Sequence, residues 1–132
     1  MITLDTSGLF TLLNSRDPDH KPAKQALLDA GGPYLVPSGI LAEIAYLVEQ
    51  RMPAALDPFL ADLESSAFAL DCGEDDVPRI RELVSRYADL SLGFADAAVI
   101  ACAERSGGLV LTFDRQDFGV VAREGKIQVM PA

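Results

Sequence analysis

Apolar positions along the chain fall into two alternating patterns. Short, nearly continuous apolar runs occur at Ile2-Thr3-Leu4-Asp5, Tyr34-Leu35-Val36, Phe68-Ala69-Leu70, Leu109-Val110-Leu111-Thr112 and Ile127-Gln128-Val129-Met130. They have the form of strands buried on both faces. Between them lie longer helical stretches: Ser7 to Asn14, Pro22 to Ala30, Gly39 to Gln50, Pro53 to Glu64, Asp75 to Tyr87 and Phe94 to Arg105. Ser38 offers a cap for the third stretch, Pro53 suits a first helical position, and Gly107-Gly108 stops the sixth. Strands separated by helical crossovers predict an α/β domain with a mostly parallel five-stranded sheet and helices on both faces. No repeat or linker interrupts the pattern, so residues 1–132 are expected to form a single domain.

With 49% hydrophobic residues, the chain can bury a full core without disulfides. Cys72 and Cys102 form no Cys-x-x-Cys pattern and are expected as reduced, buried small residues. No apolar run approaches the roughly 20 residues that span a bilayer, and no signal-peptide pattern opens the chain, so a cytoplasmic location is expected. Twenty acidic residues against eleven Lys and Arg give a formal net charge of −9. That argues against a conventional DNA-binding domain, whose affinity rests on a basic surface. It leaves room for a nucleic-acid enzyme, because bound divalent cations reverse the potential over a carboxylate cluster. It equally suits a basic protein partner.

In a parallel α/β sheet, ligands bind beyond the carboxyl ends of the strands, so acids falling there take precedence. Asp5 closes the first strand, Glu43 lies early in the helix after the second, Asp96 opens the helix before the fourth, and Asp114 follows the fourth. Each has a structural alternative. Asp5 can cap the first helix, although Thr6 and Ser7 compete for that task. Glu43 interrupts an apolar helical face, where an unpaired charge is costly. Asp96 sits where any acid gains from the helix dipole. Asp114 can start a turn or pair with Arg115, and Asp117 competes with it. Together, four acids at one mouth are tolerable mainly with a cation between them. All-oxygen ligation points to magnesium or manganese.

His20 is the sole histidine, which removes two-histidine RNA cleavage. A carboxylate-held metal that activates water suits phosphodiester hydrolysis, leaving a 5'-phosphate and a 3'-hydroxyl.

The segments Leu4-Asp5-Thr6-Ser7, Ala42-Glu43, Gly93 to Ala101 and Leu111-Thr112-Phe113-Asp114 resemble, in order and spacing, the PIN-domain signature. The Gly93 to Ala101 stretch is most similar to the VapC toxins of toxin–antitoxin pairs. The resemblance covers essentially the whole chain. It implies a three-layer PIN-like α/β/α domain and a magnesium- or manganese-dependent endoribonuclease. It also implies an acidic tetrad of Asp5, Glu43, Asp96 and Asp114 that binds metal, supported by Thr112. Asp117 is the alternative to Asp114, and Ser7 matches a small hydroxyl residue that also reads as a helix cap. Implied partners are RNA, a second copy of the chain, and a VapB-like antitoxin whose tail occupies the active-site groove in a toxin–antitoxin hetero-oligomer.

Helices from Gly39 to Leu63 carry surplus apolar residues, including Leu47 and Leu60, for a partner surface or a helical-hairpin core. Arg16, His20, Lys21 and Lys24 form a basic cluster suited to steering phosphates or to being a solvated face. Two other readings compete. A haloacid-dehalogenase-like phosphatase also places an Asp after its first strand, but has a second acid where this chain has Ser7. A catalytically silent PIN-like partner-binding protein is the other, disfavoured by four filled acidic positions.

Overall fold

Each of the five apolar runs forms a strand in the computed structural model, which describes residues Met1 to Ala132. The strands are β1 (Ile2–Leu4), β2 (Tyr34–Pro37), β3 (Ala69–Asp71), β4 (Leu109–Leu111) and β5 (Gln128–Met130). They pair in the order β3-β2-β1-β4-β5, and every pairing is parallel, so the sheet is wholly rather than mostly parallel. Parallel neighbours require crossovers, which are supplied by α1 (Thr6–Leu13), α2 (His20–Ala30), α3 (Leu41–Arg51), α4 (Leu56–Glu64), α5 (Val77–Arg86), α6 (Phe94–Arg105) and α7 (Arg115–Ala122). Right-handed crossovers place α1 to α4 on one face and α5 to α7 on the other, giving three layers. The strand order reverses direction at β1, opening a crevice between the carboxyl ends of β1 and β4.

The core sits between the sheet and these helices. In α6, every residue from Ala97 to Ala103 is buried, which accounts for the continuous apolar run in that segment. Its alanines allow the helix axis to lie close to β1 and β4. The other buried bulk comes from Ile2, Leu4, Leu9, Ile44, Phe59, Leu83, Leu111 and Phe118. The outer helices are fastened by ion pairs. Arg79 in α5 reaches Glu104 in α6 at 2.7 Å and Glu124 at 3.6 Å, while Arg105 reaches Asp76 at 2.6 Å and Asp71 at 2.7 Å.

Several sequence expectations are corrected. Ser38 does not cap α3; it opens a 3-10 turn, Ser38–Ile40, and its hydroxyl donates to the Cys72 carbonyl at 3.0 Å. Pro53 does take a first helical position, that of a 3-10 turn ahead of α4. The helix α7 was absent from the pattern. Burial on both faces holds for β1 but not for the edge strands β3 and β5, and Leu70 is 47% exposed. Cys72 is exposed because it follows an edge strand, whereas Cys102 is buried in α6.

One glycine decides how α1 meets the sheet. A Cβ on Gly8 would lie 2.2 Å from the Leu111 carbonyl oxygen, so only glycine lets the first turn of α1 rest on the end of β4. Gly8→Ala should therefore destabilise the protein by about 1–3 kcal/mol, read as a lowered midpoint of thermal unfolding.

Candidate active site

Asp5 leaves β1 at the crevice and is 4% exposed. It caps α1 after all: its Oδ1 accepts the Gly8 N–H at 2.7 Å, and Thr6 and Ser7 do not compete. Ser7 spends its hydroxyl differently, donating to Asp5 Oδ1 at 2.9 Å and accepting the Phe113 N–H at 2.9 Å. Thr112, fully buried, donates to Asp5 Oδ2 and accepts the Asp114 N–H at 3.0 Å. Two hydroxyls thus tie the carboxylate after β1 to the backbone after β4. A cap and a site residue are the same group here, because a carboxylate has lone pairs enough for both.

Three further acids meet Asp5 in one cleft of about 350 Å³: Glu43 from the first turn of α3, Asp96 from the first turn of α6, and Asp114 from the loop after β4. Asp114 also caps α7 by accepting the Asp117 N–H at 3.4 Å, and it makes no ion pair with Arg115. Carboxylate oxygens of Asp96, Asp114 and Asp117 lie within 4.8 Å of one another. Asp114 lines the cleft itself, and Asp117 stands beside it in this cluster. Glu43 is exposed, so its charge is not the costly interruption of an apolar face that the sequence suggested.

Crowding acids in a half-dry cleft has an electrostatic cost. Burial is the main cause that lifts Asp5 to about 6; hydrogen bonds from Thr112, Gly8 and Ser7 oppose the rise, and Asp96 adds repulsion. Asp96 also rises to about 6, first through burial and then through the charges of Asp114, Asp117 and Glu43. Oxygen ligands only, close spacing and disfavoured ionisation fit a hard divalent cation, which would relieve both penalties.

The chain was compared with known proteins. The family model described as PIN domain matches residues 2–124. The chain belongs to the PIN-domain family. Among PIN relatives, Ribonuclease VapC26 of Mycobacterium tuberculosis is 29% identical, over 97% of this chain and 98% of that protein. The crystal structure of VapC20 from Mycobacterium tuberculosis, described as a Sarcin-Ricin loop cleaving toxin, superposes with a TM-score of 0.75 at 25% identity, covering 92% of this chain and 95% of that one. VapBC2 from Rickettsia felis, crystallised with a DNA fragment from its promoter, matches with a TM-score of 0.69 at 19% identity, over 98% and 97% of the two chains. The last likeness speaks for the shared PIN fold alone.

Other residues of this PIN domain fall differently from expectation. Arg16, His20, Lys21 and Lys24 do not line the acidic cleft, and the His20 ring meets the Thr11 carbonyl at 3.1 Å. The cleft instead includes Leu47, one of the surplus apolar residues, together with Phe10 and Arg51, which the sequence did not single out. Of the surplus apolar residues, Ile40, Ile44, Val48 and Phe59 are core, while Leu60 is 45% exposed. No helix is long and apolar enough to cross a membrane.

The raised acids predict a pH signature. Ionising Asp96 costs the cation-free fold, so its contribution to stability is full below the ordinary carboxylate value near 4 and is lost as pH rises through about 6. Asp96→Asn should hence unfold at a higher temperature than the wild type at pH 7 without cation. The two should converge at pH 4, and magnesium should raise the wild type alone. Differential scanning calorimetry across that range checks each sign.

Proposed function

We propose that this PIN domain is a divalent-metal-dependent endoribonuclease toxin of the VapC type. The convergence of Asp5, Glu43, Asp96 and Asp114 on one cleft carries the reading. Asp96 and Asp114, with Asp117 beside them, are the groups to hold magnesium or manganese, and Asp5 faces the same cleft from a fixed position. Ser7 and Thr112 act as positioning residues for Asp5, since their hydroxyls fix its orientation through backbone amides. When bound, the cation supplies a water of lowered pKa and positive charge for the phosphate. Glu43, exposed on the first turn of α3, is suited to take the proton of the attacking water on a carboxylate oxygen. The expected products are a 5'-phosphate and a 3'-hydroxyl, because the nucleophile in this reading is a water and not the 2'-hydroxyl.

The name of the relative Ribonuclease VapC26 adds weight to this assignment, and the family resemblance implies the partners: a VapB-like antitoxin and a second copy of the chain. An antitoxin tail bearing a basic side chain would complement the acidic cleft. Exposed Tyr46 and Leu60, on α3 and α4, offer apolar area for a protein interface. A single domain acting in the cytoplasm completes the reading.

The test uses antitoxin-free protein, total RNA and magnesium or manganese, with EDTA controls. Cuts bearing 5'-phosphates should require the cation, and Asp96→Asn and Asp114→Asn should each slow cleavage by roughly 100-fold or more. Cleavage that survives EDTA, or that leaves 2',3'-cyclic phosphates, would refute the mechanism.

A further inference from the structure

Eleven Lys and Arg residues serve a chain of net charge −9, and only Arg51 lines the acidic cleft. Other cations are already engaged: Arg79, Arg86 and Arg105 pair with glutamates and aspartates of α5, α6, β3, the turn before α5 and the turn after α7. Arg51 has no carboxylate within ion-pair distance, although four acids line the same cleft. Its placement explains why. Glu43, Leu47 and Arg51 recur at intervals of four along α3, so they form one stripe facing the cleft. Eight residues of helix separate Glu43 from Arg51 by about 12 Å along the axis, well beyond side-chain pairing. Leu47, with Phe10 of α1 in the same cleft, provides apolar surface between the acids and the guanidinium.

We infer that Arg51 is a substrate-binding residue, holding a backbone phosphate of the RNA a short way along the strand from the phosphate being cut. The inference rests on the ribonuclease reading above and deepens it. The acid end repels every phosphate not neutralised by a cation, so a strand lying along the cleft needs a positive anchor at its other end. A guanidinium gives that anchor in a fork that matches phosphate oxygens. Phe10 and Leu47 suit the ribose and base between the two phosphates, since apolar and aromatic surface accepts any base face. The structural alternative for Arg51 is service to the C-terminal dipole of α3, whose last turn it occupies. That service needs no particular substrate phosphate.

The experiment measures metal-dependent cleavage of one defined single-stranded RNA by the wild type, Arg51→Ala and Arg51→Lys, with folding checked by circular dichroism. Arg51→Ala should raise KM about tenfold and leave kcat within about twofold, the pattern of lost uniform binding. The slope of log KM against log salt should fall by about 0.7, the value for one phosphate contact on a single strand. Arg51→Lys should recover part of the KM. A series of RNAs, each carrying one neutral methylphosphonate, should show a single position beside the cut that weakens the wild type but not Arg51→Ala. An unchanged KM, or equal sensitivity of both proteins at every position, overturns the role of Arg51 while leaving the nuclease intact. A wild type that cuts no RNA with cation present overturns the ribonuclease reading, and this inference with it.

Discussion

A buried carboxylate ties together the chain segments that leave the two central strands of the sheet. Asp5 ends β1, caps α1 through Gly8, and is bound by hydroxyls that themselves hold the backbone after β4. The ladder between β1 and β4 joins the strands themselves; the carboxylate closes the seam beyond their ends, where the chain leaves the strands towards α1 on one face and meets α6 from the other. Gly8 allows the close approach that the seam requires. Everything else in the cleft is placed relative to that knot: Asp114 follows Thr112 by two residues, and Asp96 and Glu43 enter on the first turns of helices whose N-termini point at it.

The arrangement trades stability for chemistry in a particular way. The sheet and α6 supply a dry, close-packed base, and the acids are gathered at its upper rim, where partial burial disfavours their charge. A fold of this kind tolerates such a concentration because the penalty is local, while the apolar burial that opposes it is spread over the whole core. The ion pairs made by the arginines of α5 and α6 lie outside the cleft and use up much of the positive charge. What remains within the cleft is a polarised surface, acidic at one end and carrying Arg51 at the other.

The fold was legible because buried parallel strands read as bare apolar runs and because α6 is apolar on every side. α7 was not, for physical reasons. Its sequence Arg115-Gln116-Asp117-Phe118-Gly119-Val120-Val121-Ala122 holds a glycine and two β-branched residues, all poor helix formers, and only Phe118 and Val121 are buried to hold it. Tertiary packing makes that helix, and propensity does not. The acids of the cleft could be chosen from their places at strand ends. Arg51 could not, since a basic residue at the end of a helix ordinarily answers to the dipole. Its alignment with Glu43 at two intervals of four was the available signal. The premise about Glu43 failed because apolar neighbours in sequence do not imply apolar neighbours in space: Ala42 and Glu43 face outward, while Ile44 faces in.

The double employment of Asp5 bears on how such a protein can drift. A descendant relieved of any need to cut RNA would still keep Asp5, Ser7 and Thr112, since the knot they form closes the sheet. Asp96 and Glu43 have no comparable claim on the fold and would be free to vary, and Asp114 would be held only by its cap on α7, which Asn or Ser serves as well. Persistence of the first acid is therefore poor testimony to activity among distant cousins, whereas erosion at the other three records the moment a nuclease becomes a scaffold.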